Sequence, residues 1–257
     1  MSKIEEVFKD LRVKGRKAFI PYIMAGDPDL AKTEEVILLF EEVGADIVEL
    51  GIPFTDPLAD GPTIQRASER ALKKGITLKK VLEFVKRIRR SIKIPIVLMT
   101  YYNPIFKYGV ERFVKEAVQY RVNGIIVPDL PPDEATDLIR FSKREGLDTV
   151  FLLAPTSTED RVKMVARTSS GFIYYVSITG ITGARLQIDE SLGESIKKIR
   201  KITDKPVCVG FGVSNPEEAS RVSEIADGVI IGSAIVKMLN ESPEGFEDFV
   251  KALRKAI

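Results

Sequence analysis

The sequence predicts an α/β protein built as a (β/α)8 barrel, with one additional helix ahead of the first strand. Eight short apolar runs, rich in β-branched or aromatic residues, alternate with amphipathic stretches from one end of the chain to the other. The length of 257 residues also suits one such barrel, which typically takes about 250 residues. We therefore expect a single TIM-barrel domain over residues 1–257.

The apolar runs are bounded by Gly, Pro or Asp and have the length of buried parallel strands. They cover residues 18–24, 46–50, 94–100, 124–127, 148–153, 172–176, 206–210 and 227–231. An open doubly wound sheet is the alternative architecture. The barrel is favoured because the first run is followed by Ala25-Gly-Asp-Pro28 and not by a glycine-rich dinucleotide turn.

Helix signals occur between these runs. The apolar residues Leu78, Val81, Leu82, Val85, Ile88 and Ile92 recur at helical spacing. The segment Asn215-Pro-Glu-Glu218 combines a cap, a proline at the first position and acids against the helix dipole. Near the N-terminus, Ser2 and Glu5 form a capping-box pattern. We expect the resulting helix, within residues 1–13, to cover the bottom of the barrel.

Composition excludes several classes of function. With 39 basic and 37 acidic residues, the protein has too small a net charge to be attracted to nucleic acid or anionic membranes. The basic residues between Lys73 and Lys93 are typical of the solvent-exposed face of an outer helix. No run reaches 18 apolar residues and no signal-peptide core is present, so a cytoplasmic protein without membrane contact is expected. The single cysteine, Cys208, is expected to be a buried core residue without chemical reactivity. The absence of histidine removes the usual general base and argues against a metal site.

Without imidazole, carboxylates are the candidates for proton transfer. Glu49 lies in a predicted strand, on the same face as Ile47. If that face points into the barrel, the carboxyl group lies near the C-terminal mouth among apolar residues. Poor solvation would raise its pKa and let it deliver a proton near neutral pH. The alternative is that Glu49 pairs with a Lys or Arg of a neighbouring strand.

A second carboxylate, Asp60, ends a loop rich in Gly and Pro and precedes Gly61-Pro62-Thr63, which has the pattern of a helix opening. Asp60 is either the N-cap of that helix or an acceptor presented to a ligand over the barrel mouth. The sequence leaves both possibilities open.

Glycine-rich turns follow the last three predicted strands. They are Thr179-Gly-Ile-Thr-Gly183, Gly210-Phe-Gly-Val-Ser214 and Gly232-Ser-Ala234. Each alone could serve only as a tight turn. Because phosphate sites in these barrels often follow strands seven and eight, three such turns at one end predict a phosphate cradle. None has the pattern of a nucleotide triphosphate loop.

Taken together, these segments resemble the α subunits of tryptophan synthase over nearly the whole chain. The residues that carry the resemblance are Phe19-Ile-Pro-Tyr-Ile-Met-Ala-Gly-Asp-Pro28, Leu50-Gly-Ile-Pro-Phe-Thr-Asp-Pro-Leu-Ala-Asp-Gly-Pro-Thr-Ile-Gln65, Tyr175-Val-Ser-Ile-Thr-Gly-Ile-Thr-Gly183 and Gly210-Phe-Gly-Val-Ser214. The resemblance implies a (β/α)8 barrel and a lyase of tryptophan biosynthesis. Its reaction is the retro-aldol cleavage of indole-3-glycerol phosphate to indole and glyceraldehyde 3-phosphate.

The resemblance also assigns roles to residues. It implies that Glu49 is the acid/base and that Asp60 accepts the indole N–H. Tyr174 matches a tyrosine beside the reacting centre, and Thr182 matches a lid residue in the loop after the sixth strand. The residues that match the phosphate site are Gly183, Gly212, Gly232 and Ser233.

The same resemblance implies an α2β2 complex with a tryptophan synthase β subunit. The β subunit is expected to carry pyridoxal phosphate, and this chain no cofactor. Tyr22 stands where phenylalanine is common in the family, which keeps an aromatic wall. The loop at residues 102–106 is expected to contact the partner. Two other functions stay open at this point: a lyase that works without a β subunit, and a barrel retained only to bind and regulate a partner.

Overall fold

The computed structural model describes residues 1–177, 190–210 and 212–257. Its parallel strands pair in the order β5-β4-β3-β2-β1-β9-β8-β7-β6, so the first strand is central and the two ends of the order are consecutive in sequence. The strands are β1 (Ala18–Met24), β2 (Val48–Gly51), β3 (Ile96–Met99), β4 (Gly124–Ile126), β5 (Asp148–Val150), β6 (Leu152–Leu153), β7 (Ile173–Val176), β8 (Val207–Gly210) and β9 (Gly228–Ile231). This nearly closed barrel confirms the predicted fold class.

The predicted fifth strand, residues 148–153, is divided into two segments in the structure. β5 pairs with β4 and β6 pairs with β7, and Phe151 lies between them. The amide of Phe151 donates to the Ser169 hydroxyl and not to a neighbouring strand. The change of partner at this residue allows one stretch of chain to pair with both ends of the sheet.

Helices surround the barrel, and two of them begin where the sequence signals predicted. Ser2 and Glu5 form the predicted capping box, and Asn215 caps its helix through Glu218. The helices are α1 (Lys3–Val13), α2 (Leu30–Glu42), α3 (Pro62–Lys73), α4 (Leu78–Ile88), α5 (Tyr102–Tyr108), α6 (Val110–Gln119), α7 (Thr136–Glu145), α8 (Glu159–Thr168), α9 (Glu190–Arg200), α10 (Pro216–Ile225), α11 (Ser233–Glu241) and α12 (Phe246–Ala256).

Two details differ from the sequence prediction. α4 ends at Ile88, so Ile92 belongs to the following connection, although its side chain is buried as the periodicity suggested. Residues 102–106, expected as a loop, begin the short helix α5. Asp129 accepts a hydrogen bond from the Tyr102 amide at 2.9 Å, which satisfies one of the free amides at the start of that helix.

α1 packs against the end of the barrel where the strands begin. Ile4 is fully buried and lies so close to Gly124 and Gly171 that a side chain at either glycine would meet it. The ring of Phe8 lies 5.8 Å from that of Phe172, just before β7. These contacts put the first helix over the amino-terminal ends of β4 and β7.

The last helix is held to the barrel by a shielded ion pair. Arg254 of α12 donates to the Asp46 carboxylate at 3.0 Å, and that carboxylate also accepts from the Phe19 amide of β1. Both side chains are nearly covered, at 12% and 13% exposure. Burial raises the pKa of Asp46, and the Phe19 amide and Arg254 act in the opposite direction. The cation therefore compensates a carboxylate that water reaches poorly.

Replacing Arg254 by methionine should destabilise the fold by about 3 kcal/mol, because it leaves a covered carboxylate without its cation. The midpoint of urea unfolding measures the loss. Arg140→Met is the matched control, since Arg140 forms an exposed ion pair with Asp137 and surface pairs contribute little. Equal losses in the two variants would contradict a special contribution from the covered pair.

Candidate active site

Strand register brings three of the predicted site residues to the barrel mouth, the end where the strands finish. Tyr22 of β1 is in register with Glu49 of β2, and Tyr174 lies on β7, beyond β9 and β8. All three side chains are buried. Burial above all raises the pKa of both tyrosines, and the charge of Glu49 adds to the rise, so these strands direct their side chains toward a common interior.

The Glu49 carboxyl group is almost completely removed from water, with 1% of the residue exposed. Its Oε2 atom has no hydrogen-bond partner among the described residues. Burial, and secondly the charge of Asp60, raises the pKa of Glu49 to about 8. No ion pair involves Glu49 in the part of the chain that the structure describes, so the alternative of a structural salt bridge fails there. At neutral pH this group holds a proton.

Asp60 is not the N-cap of α3. The cap position is Gly61, which makes no side-chain cap hydrogen bond. The Asp60 carboxylate instead accepts a hydrogen bond from the Tyr101 hydroxyl, which partly offsets the effect of burial, and the pKa of Asp60 is raised to about 6. Asp60 therefore keeps its charge at pH 7, while Glu49 stays neutral.

Two residues that the sequence did not assign to the site hold the Asp60 loop. The Tyr101 hydroxyl accepts from the Ala59 amide at 2.9 Å, and its ring stacks on Phe54 with 5.2 Å between centroids. The buried Ser68 hydroxyl accepts from the Phe54 amide and donates to the Phe54 carbonyl. Tyr101 directly follows a predicted strand, which was a usable signal. Ser68 lies on a helix and gave none.

Two glycines leave space for the tyrosine hydroxyls. A Cβ atom at Gly51 would collide with the hydroxyl of Tyr22, and one at Gly210 would collide with that of Tyr174. The Tyr22 ring also lies 3.4 Å from the Cβ position of Gly232. Tyr22 therefore extends from the end of β2 to the beginning of α11.

The predicted phosphate turns meet at the same mouth, as far as they are described. Gly232 is the cap residue of α11, and Ser233 is its first residue. Gly212 follows β8, the neighbour of β9, and has a φ of 86°, which favours glycine. The first amides of a helix attract anions, so this corner suits a phosphate group. Gly183, Thr182 and the rest of the turn at 179–183 lie outside the described residues.

A buried carboxylate, unnoticed in the sequence, joins the two helices that border the mouth. Asp27 follows β1 and binds Arg70 of α3 through two hydrogen bonds of 2.6 and 2.8 Å. It also accepts from Asn240 of α11 at 3.1 Å. α3 begins next to Asp60 and α11 begins at Ser233, so Asp27 fixes the relative positions of the helices that start at the carboxylate loop and at the anion corner.

Other predicted features have simpler outcomes. Cys208 is fully buried and burial raises the pKa of its thiol, which disfavours the reactive thiolate. No group of three or more acidic or cysteine residues within the described ranges could hold a metal ion. In the same ranges, the helices are too short or too polar to cross a membrane.

Comparison with known proteins agrees with this geometry. Residues 8–256 match the family model described as the tryptophan synthase alpha chain. The chain is 51% identical to the tryptophan synthase alpha chain of Geobacter sulfurreducens, covering 100% of this chain and 99% of that protein. It is 50% identical to that of Geotalea uraniireducens, covering 100% of this chain and 98% of the relative.

Solved structures show the same architecture. Tryptophan synthase subunit alpha from Legionella pneumophila superimposes with a TM-score of 0.93 at 36% identity, covering 100% of this chain and 98% of that one. A chain of aminoacrylate-bound tryptophan synthase from M. tuberculosis gives 0.91 at 34% identity, with 100% of both chains covered. The matches extend over the barrel and its mouth, and the chain belongs to the tryptophan synthase alpha chain family.

Proposed function

We propose that Glu49 and Asp60 carry out the reaction of this family in the present chain. That reaction is the cleavage of indole-3-glycerol phosphate to indole and glyceraldehyde 3-phosphate in tryptophan biosynthesis. The observation that carries the proposal is the buried, proton-bearing Glu49 carboxyl group, which has an oxygen without a partner among the described residues. Asp60 lies close enough for its charge to raise the pKa of Glu49. The two acids differ in protonation at pH 7, as two acids with different tasks should.

The chemistry requires one proton donor and one charge acceptor. Indole leaves only after C3 of its ring gains a proton, and the neutral Glu49 carboxyl group is the donor. Protonation places positive charge on the ring and its N–H, which the Asp60 carboxylate accepts and stabilises. The C3–glycerol bond then breaks, its electron pair restores the aromatic ring, and the glycerol hydroxyl loses its proton to Glu49 as the aldehyde forms.

The remaining predicted residues surround the substrate in this proposal. Gly212, Gly232 and Ser233, with Gly183, hold the phosphate at the start of α11, which fixes the far end of the substrate. Tyr174 lies beside the reacting carbon, and Tyr22 forms an aromatic wall between the phosphate corner and Glu49. Thr182 closes the mouth as part of the loop after β7 and excludes water.

The proposal includes a partner and a cellular setting. Leu58, in the Asp60 loop, is 94% exposed, and Phe106, in α5, is 65% exposed. Both belong to segments that follow neighbouring strands, β2 and β3, at the mouth, and exposed apolar side chains there suit docking of a tryptophan synthase β subunit in an α2β2 complex. Pyridoxal phosphate belongs to that β subunit, and this chain uses no cofactor. We place this single-domain enzyme in the cytoplasm.

Purified chain should release indole slowly from indole-3-glycerol phosphate, and added β subunit should raise kcat about tenfold or more, equal to about 1.4 kcal/mol of barrier. A colorimetric indole assay with and without β subunit measures both rates. Full activity alone would favour a lyase that works without a partner. No release under either condition would favour a barrel that only binds and regulates.

Glu49→Gln should lower kcat by about a hundredfold to ten-thousandfold, because an amide cannot deliver a proton to C3. Glycerol phosphate should still bind, since the anion corner is unchanged, and equilibrium titration checks this. Glu134→Gln, at an exposed glutamate, is the control and should keep wild-type turnover. Retained activity in Glu49→Gln would exclude its acid role.

The profile of kcat/KM against pH should be bell-shaped, because Glu49 must be protonated and Asp60 ionised in the free enzyme. The rate should fall as the pH drops through about 6 and as it rises through about 8. In Asp60→Asn the rate should be much lower throughout, since the amide oxygen carries no charge. Its alkaline limb should move to lower pH, because the charge of Asp60 helps to raise the pKa of Glu49.

The substrate phosphate also ionises near pH 6, so the acidic limb alone does not identify Asp60. The shift of the alkaline limb in Asp60→Asn separates the two groups. An unchanged alkaline limb would mean that the acids act independently.

A further inference from the structure

The opposite end of the barrel carries a concentration of positive charge that the cleavage reaction does not use. We call Lys86, Arg89, Arg90, Lys93 and Arg121 the basal cluster. The first four lie at the end of α4 and in the connection to β3, and Arg121 lies between α6 and β4. Since these residues precede the strands, the cluster is at the amino-terminal end of the barrel, away from Glu49.

The cluster lines two adjoining depressions with volumes of about 360 and 490 Å³. Arg89, Arg90 and Arg121 contribute to both. The other lining residues are Ser91, Ile92, Asn123, Gln119 and Tyr120, so no carboxylate from the described residues lines either depression. The surface there is concave, and the charged side chains that line it in the described part of the chain are cationic.

Within the described residues, no member of the basal cluster forms an ion pair, although the neighbouring Arg87 binds Glu34 at 2.9 Å. Lys86 lies over the ring of Tyr120. Glu41, an acid that acts on Arg89, already accepts hydrogen bonds from the amides of Lys93 and Ile94. The charge of Glu41 therefore offsets part of the positive charge at Arg89, while the charge of Arg121 opposes it and the cations of the cluster repel one another.

Arg89 is held in place at a cost. It donates to the Ile94 carbonyl and to the Asn123 side chain, while its Nε is shielded from water without a partner among the described residues. Burial, and secondly the charge of Arg121, lowers the pKa of Arg89 to about 10. An anion bound near Arg89 would offset the repulsion between its charge and that of Arg121.

Arg121 adds backbone strain at the same place. Its φ of 62° lies in the left-handed region, which residues with a Cβ atom adopt at a cost. Every other positive φ in the described part of the chain belongs to a glycine. A glycine would fit this turn with less strain and less charge repulsion, and strain of this kind concentrates where a side chain has a function.

We propose that the basal cluster is a binding site for a multivalent phosphate anion, either free polyphosphate or the phosphate chain of a small metabolite. The concave shape, the several cations that form no ion pair among the described residues and the strained Arg121 all point to an anionic ligand. Arg groups suit phosphate because they offer paired N–H donors in a plane. The site is distinct from the anion corner at α11, which faces the mouth.

Arg121→Gly tests this site with a variant that is expected to fold, because glycine fits the observed φ. Thermal unfolding is measured without ligand and with tripolyphosphate, adenosine triphosphate or inorganic phosphate. Arg167→Ala, which removes an exposed cation of α8, is the matched control. Phosphate bound at the mouth affects all three proteins equally and cancels in the comparison.

Without ligand, Arg121→Gly should have a Tm equal to or above that of wild type. With tripolyphosphate, the rise in Tm should be about 2–4 °C larger for wild type and Arg167→Ala than for Arg121→Gly, as expected for affinity weakened about tenfold. A similar rise with adenosine triphosphate would identify a metabolite source, and a rise with tripolyphosphate alone would identify free polyphosphate. Catalytic turnover should be unchanged in both variants.

Equal rises in the three proteins would overturn the proposal, since binding would then be confined to the mouth or be nonspecific. The proposal would also be overturned if duplex DNA displaced bound tripolyphosphate more strongly than adenosine triphosphate does. The cluster would then be a nucleic-acid surface.

Discussion

The site depends on one costly arrangement, a carboxyl group enclosed in the barrel with one oxygen that has no hydrogen-bond partner among the described residues. Burial raises the pKa of Glu49 to about 8, so the carboxyl group keeps its proton at pH 7. Water would lower that pKa again. The buried side chains of Tyr22 and Tyr174 help to keep water away from the carboxyl group and therefore help to keep its pKa high.

The second acid differs from the first because its surroundings differ. Asp60 lies at the end of a loop, and its carboxylate accepts a hydrogen bond from the Tyr101 hydroxyl, which favours the charged form. The two groups are also coupled, since the charge on Asp60 makes ionisation of Glu49 harder. The pair thus combines a carboxyl group that keeps its proton at pH 7 with one that is charged, in a sequence that contains no histidine.

The two ends of the barrel have different electrostatic designs. At the mouth, Gly232 and Ser233 offer backbone amides at the start of α11. At the base, side-chain cations gather around Arg89 and Arg121 in a concave surface. Backbone amides at a helix start and planar guanidinium groups are two different means of binding an anion. The hydrogen bonds of Asp27 with Arg70 and Asn240 lie near the mouth and not at the base.

The sequence by itself determined the alternation of strands and helices, the approximate positions of the strands, the starts of α1 and α10 and the identity of the candidate acids, because periodicity, capping residues and a long motif around Glu49 and Asp60 are local features. The division of the fifth strand at Phe151 was decided by which neighbour each segment pairs with, and pairing is not local. The same holds for Tyr101, Ser68 and Asp27, whose partners lie 42, 14 and 43 residues away. Only the tertiary structure decided that Glu49 forms no ion pair with the described residues and that Asp60 is not a helix cap, since the pKa of each acid depends on neighbours that the chain brings together only in three dimensions.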